Sequence, residues 1–155
     1  MDLKREKEKM LAGELYDSNC NGELIKEIYA AKDKCFEYNN IRPSNIEERK
    51  NFMKTILGKT KNNFLIEQPF LCDYGYNIEI GEKFYANHNL VILDANKVEF
   101  GDNVFIAPNC GFYTAGHPLD YETRNKGLEY AKPIKVGNNV WIGGNVVVLP
   151  GSSLY

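Results

Sequence analysis

The sequence holds only two histidines, one tryptophan and four cysteines in 155 residues. The cysteines, Cys20, Cys35, Cys72 and Cys110, lie 15, 37 and 38 residues apart. Without a C-x-x-C pair, zinc-ribbon and thioredoxin-type readings fail. Scattered thiols in a leaderless chain suit a reducing compartment, so a cytoplasmic location is expected. No apolar run approaches the roughly 18 residues of a membrane span. The first ten residues, MDLKREKEKM, lack the apolar centre of a secretory signal. A net charge of −2 leaves no basic footprint, so neither nucleic acid nor membrane is an expected partner. Glycine fingerprints of phosphate and dinucleotide sites are missing as well. What remains, 43% hydrophobic and 26% charged, is the composition of one folded domain rather than of a disordered or collagen-like chain.

The first third has helical periodicity. Leu24, Ile28, Ala31 and Cys35 recur at steps of three and four, beside a second row of Ile25, Tyr29 and Phe36. A further helix is bounded by Pro43 and by Ser44 with Glu47 three residues on, a capping-box spacing, and by Gly58 as a stop. Its face is Ile46, Met53, Ile56 and Leu57.

After about residue 66 the period becomes six. Ile80, Ala86, Ile92 and Val98 form one series, Phe100, Ile106 and Phe112 a second, and Val136, Ile142, Val148 and Leu154 a third. Four residues after these anchors come Phe84, Leu90, Val104, Cys110, Val140 and Val146. Gly81, Gly101, Gly137 and Gly143 follow anchors directly and suit tight corners with positive φ. A β-meander would repeat every two residues. A step of six predicts a solenoid of short strands, three units closing one triangular coil around an apolar column.

These segments, with MLAGELY (10–16), CDYGYNIEIG (72–81), FYANHN (84–89), DNVFIAPN (102–109), YTAGHPLD (113–120) and KPIKVGNNVWIGGNVVVLPG (132–151), resemble the maltose and galactoside O-acetyltransferases among the hexapeptide-repeat acyltransferases. Asp73, Leu93-Asp94-Ala95 and Glu129 are more similar to the maltose branch. The resemblance implies a mostly β fold, a left-handed parallel β-helix with an N-terminal helical cap. The expected boundaries are 1–62 for the cap and 63–155 for the β-helix, with a projecting loop at 115–132. It also implies acetyl-CoA as co-substrate, a sugar such as maltose or glucose as acceptor, no metal, and a homotrimer with clefts between subunits. Galactosides and other hydroxyl acceptors stay open. Family members continue for about two further coils past the V-V-V-L-P-G segment, so the β-helix is expected to be C-terminally incomplete, and a non-catalytic oligomerising or binding module is the alternative.

Acetyl transfer to a hydroxyl needs a general base near neutral pH, for which histidine is suited. His117, in T-A-G-H-P-L where the count of six breaks, aligns with the family's base, although an exposed loop histidine is the simpler reading of the residues alone. His88 is read as a turn residue. The resemblance gives Asn87 an oxyanion-donating role, and sets Asp73, Asp94, Glu129 and Ser18, the last on the cap helix, against the acceptor. Each acid also fits a solvated corner. Trp141 is turned outward by the repeat and is expected beside coenzyme A at a subunit interface, with the Gly144 amide directed at the thioester carbonyl. A γ-type carbonic anhydrase, which needs three zinc-binding histidines per site, is excluded by having two in all.

Overall fold

The computed structural model describes residues 5–20 and 22–155. The cap consists of α1 (Glu6–Ala12), the short strand β1 (Tyr16–Asp17), α2 (Glu23–Asn39) and α3 (Ile46–Ile56). In α2, Leu24, Ala31, Cys35 and Tyr38 are buried. The second row is mostly exterior, with Tyr29 61% and Phe36 69% exposed. The α3 helix starts one residue later than its spacing suggested. Asn45, not Ser44, is the N-cap; it makes no side-chain capping bond, and its Nδ2 donates to Glu48 instead. Arg49 is buried beside Met53 and Ile56. Its guanidinium donates to the Pro43 and Ile66 carbonyls and pairs with Glu67, which pins α3 to the first strand of the body. Gly58 does not act as a helix stop: a Cβ there would collide with the Tyr76 carbonyl.

The body winds through β2 (Phe64–Ile66), β3 (Phe70–Cys72), β4 (Ile78–Glu79), β5 (Phe84–Ala86), β6 (Leu90–Leu93), β7 (Val98–Phe100), β8 (Phe105–Ile106) and β9 (Gly111–Tyr113). It then leaves the prism through β10 (Ala115–Gly116), α4 (Tyr121–Asn125) and β11 (Leu128–Ala131). It returns as β12 (Ile134–Val136), β13 (Trp141–Ile142), β14 (Val147–Val148) and β15 (Ser153–Leu154). Every third strand stacks in parallel on the last: β2-β5-β8-β13 make the first face, β3-β6-β9-β14 the second, and β4-β7-β12-β15 the third. The result is a three-sided parallel β-helix of four coils. All anchor residues from Ile80 to Val148 are buried. Phe84, Phe100 and Phe112, one from each face, meet edge-on at centroid spacings of 5.1 Å along the axis.

The three series of anchors have a single cause. Phe64 lies beside Phe84 and Tyr85 beside Phe105, so the first coils advance by 20 residues; the last advances by 18, since Lys135 lies beside Ser153. Two sides of each coil keep the six-residue count. The third vertex, between the second and third faces, absorbs every extra residue, including the whole excursion that separates Val98 from its partner Ile134. The stretch expected as a projecting loop is therefore ordered. The antiparallel pair β10-β11 is continued by β1 of the cap.

The other two vertices turn on left-handed residues: Lys83, Asn103 and Asn139 at one, Asn89, Asn109 and Asn145 at the other. The glycines after the anchors have another purpose. Gly81, Gly101, Gly137 and Gly143 are absent from the positive-φ residues. A Cβ on Gly81 would strike Gly101 of the next coil, and one on Gly101 would strike Gly137 and Asn138. Gly81 and Gly101 are small so that coils can stack, whereas a Cβ on Gly143 would meet open space. At these two vertices Lys83, at φ 55, is the one left-handed corner without asparagine. Asparagine tolerates this conformation better than a long side chain. Lys83→Asn is expected to add about 0.5–1 kcal/mol of stability. A melting temperature that does not rise in the variant overturns this.

Candidate functional site

The lengthened third vertex gathers carboxylates. Asp94 follows β6 and is 0% exposed. Its Oδ1 accepts from the backbone N–H groups of Asp73 (3.1 Å) and Tyr74 (2.8 Å), and its Oδ2 from that of Asn77 (3.3 Å). Asn77 Nδ2 donates back to the Asp94 carbonyl at 2.8 Å. Asp94 thus clips the turn of one coil onto the next. Its carboxyl group faces this turn and has no exposed surface.

Asp73 is half-buried on that turn. Its carboxyl is pushed up to about 6, mainly by burial; Lys32 opposes the shift and Glu129 adds to it. Glu129 lies on β11 directly opposite Tyr16 of β1. Burial, with the charges of Glu129 and Asp73 added, also holds the Tyr16 and Tyr74 hydroxyls well above the usual phenol range. Asp73, Glu129, Tyr16 and Tyr74 therefore lie near enough for the charges of the two acids to act on the others, with both tyrosines buried. Ser18 sits in the turn after β1, on the strand side of the cap and not on a cap helix.

The excursion is anchored by buried polar residues that carry no sequence signal. Thr114 donates to the Leu93 carbonyl at 2.6 Å and accepts from Asn96 N–H at 3.0 Å. Asn96 Nδ2 donates to the Ala131 carbonyl (3.1 Å) and the Met10 carbonyl (3.3 Å), joining the hairpin base to α1. At the tip, Asp120 caps α4 through Thr123, and Arg124 donates to the Pro118 and Leu119 carbonyls. His117 leaves the end of β10 between these two anchors. It is exposed, and its imidazole has no hydrogen-bond partner among the described residues.

Other candidates lie on the vertex between the first and second faces. Asn87 follows β5, and its backbone N–H donates to the Ile106 carbonyl at 2.9 Å. Its Oδ1 accepts from His88 N–H at 2.8 Å. His88 Nδ1 donates to the Gln68 carbonyl at 2.6 Å. Two coils above Asn87, Gly144 occupies an exposed turn of the same vertex. Trp141 stands outward on the first face, 78% exposed, above Phe105.

Hence Asn87 and Gly144 share one vertex, while Asp73, Asp94, Glu129, Ser18 and His117 gather on or beside another. The outer faces also differ. Leu65, Tyr85, Phe105 and Trp141 stack outside the first face, and Leu71, Val91 and Val147 outside the second. The third carries Glu79, Glu99 and Lys135. Among the described residues no cluster of three metal-ligating side chains occurs, and no helix is long and apolar enough to cross a membrane.

Residues 9–61 match the family pattern described as the maltose acetyltransferase hexapeptide capping motif. The Saccharomyces cerevisiae protein named "Putative acetyltransferase YJL218W" is 54% identical over 147 residues, 95% of this chain and 75% of its own length. A maltose O-acetyltransferase structure from Clostridium difficile 630 superimposes with a TM-score of 0.93 at 44% identity, over 97% of this chain and 80% of that one. A galactoside acetyltransferase solved with coenzyme A gives 0.92 at 40% identity, over 97% and 75%. The coils are thus those of a left-handed parallel β-helix.

Proposed function

Because this chain belongs to the hexapeptide-repeat acetyltransferases and carries the cap of their maltose acetyltransferase branch, we propose that it moves an acetyl group from acetyl-CoA to a hydroxyl of a sugar such as maltose or glucose. The observation that carries this reading is that Asp73 and Glu129, whose charges act on one another, belong to the same lengthened vertex as an exposed and unengaged histidine, His117. Carboxylates accept hydrogen bonds from sugar hydroxyls, often two at once. His117 takes the proton of the acceptor hydroxyl, and the freed oxygen attacks the thioester carbonyl carbon. The oxygen of that carbonyl gains negative charge and accepts from Asn87 Nδ2 and the Gly144 N–H. As the C–S bond breaks, the departing thiolate recovers the proton from His117. The transfer is direct.

One protomer keeps its donor-side groups, Asn87 and Gly144, a full face away from His117. Two copies side by side bring the one vertex against the other, so the site is built between subunits of a homotrimer. Two apolar outer faces and one charged face per protomer suit this packing, and they give Trp141 a neighbour beside coenzyme A. Asp94 serves the acceptor by holding the turn under Asp73, and Ser18 lies at the cap's edge of the same space.

A thiol-release assay over a panel of sugars tests the reading. In that assay Asp73→Asn is expected to raise the acceptor KM by about tenfold, the loss of roughly 1.4 kcal/mol of binding. The acetyl-CoA KM stays unchanged. Equal effects on both substrates mean that Asp73 supports the fold and not the acceptor, and no turnover with any sugar overturns the sugar reading.

A further inference from the structure

Cys35 and Cys72 come from separate parts of the chain, the middle of α2 and the end of β3, yet their Sγ atoms lie 3.7 Å apart inside the core. Both thiols are free. Cys20 and Cys110 have no second sulfur within hydrogen-bond reach; Cys110 donates to the Gly143 carbonyl. We propose that Cys35 and Cys72 form a redox site, at which a hydroperoxide closes a disulfide between the cap and the first coil.

The geometry is nearly sufficient. A disulfide needs its sulfurs at about 2.05 Å, so a small rotation of the two side chains completes the approach. The pair also divides the labour. The hydrogen bond from Cys72 holds the Cys35 thiol below its ordinary value, while the same bond and burial push the Cys72 thiol up. Cys35 is therefore the attacking sulfur and Cys72 the resolving thiol. The Cys35 sulfur attacks one peroxide oxygen, the O–O bond breaks, and a sulfenic acid forms with release of water. The Cys72 sulfur then displaces the sulfenic oxygen as a second water. Two thiols lose two electrons, hydrogen peroxide gains them, and both thiol protons end in water.

The new bond would close a loop that contains all of α3 and β2, and it would fasten α2 to the strand that leads directly into Asp73. Because both sulfurs are shielded, the reaction proceeds through local lifting of α2, and mild denaturant accelerates it.

The test is hydrogen peroxide added to the folded chain, followed by intact mass, a non-reducing peptide map and a melting curve. A loss of about 2 Da is expected, with the Cys35 and Cys72 peptides joined and released again by dithiothreitol. The melting temperature rises by roughly 5–10 °C, as closure of a long loop implies. Cys20→Ser leaves the result intact, and Cys35→Ser abolishes the mass loss. The map on the unaltered chain decides the matter even if Cys35→Ser folds poorly. Oxidation of Cys35 to a sulfinic acid, a link through Cys20 or Cys110, or full alkylation of both thiols after peroxide and unfolding would each overturn the proposal.

Discussion

His117→Ala is expected to lower kcat for acetyl transfer by about 10²–10⁴-fold, the range for loss of a general base. Its side chain is exposed and makes no hydrogen bond within the described chain, so removing it takes nothing from the fold. The melting temperature should therefore stay within about 1–2 °C of the parent, as exposed substitutions generally do. Acetyl-CoA affinity, measured by calorimetry, should also hold, because the donor-side groups stand on the other vertex. A loss confined to kcat separates chemistry from binding. Near-parental kcat with a good acceptor removes His117 from the role of base.

The second large effect is a dependence of stability on pH. Asp94 is pushed up to about 7, because burial outweighs the backbone N–H groups that favour its charged form. An unfolded aspartate titrates near 4. Between about pH 4 and pH 7 the folded chain therefore holds a proton that the unfolded chain has released. Stability is full below this window and declines as pH rises through it, by at most about 1.4 kcal/mol per pH unit, then levels off. Asp73 adds in the same direction up to about pH 6, but less, since solvent reaches it. Melting curves from pH 5 to 8 should move downward in the parent and be flatter in Asp94→Asn, whose side chain does not titrate. Parallel slopes in the two proteins would assign the dependence to other groups.

The inward anchors were legible because an apolar column tolerates nothing else at those positions, and a period of six survives without knowledge of any partner. Val98 and Phe100 fall in separate series because the third vertex adds two residues between the second and third faces, a detail visible once the strands are paired. The glycines illustrate a different limit. A glycine after an anchor has the same appearance in sequence whether it serves positive φ or close stacking, and here Gly81 and Gly101 serve stacking while asparagine takes most of the corners. Asn96 and Arg49 were illegible for another reason. Asn96 meets Met10 across 86 residues, and a buried polar side chain is explained only by its partners. The same holds for Cys35 and Cys72, whose 37-residue separation gives no hint of contact. On the candidate site, His117, Asn87 and the acids were nameable through motif resemblance; their division between two vertices, and the inward turn of Asp94, depend on coil geometry.

The unequal vertices bear on how such a chain can change. Coils communicate only through their strands, so residues added between the second and third faces leave the register of the other two sides untouched. Lengthening or replacing the segment between Thr114 and Lys132, with His117 and Glu129 retained, should thus reshape this wall of the proposed site while the other two vertices and the core stay as they are. The same holds for grafts: a hairpin taken from a relative needs to match the closing pair Ala115 and Ala131, the Ala131 carbonyl that meets Asn96 and the pairing with Tyr16 and Asp17, and to keep the histidine at 117. Diversity in what is acetylated can accumulate at one hinge of the polygon while the machinery that delivers the acetyl group stays constant.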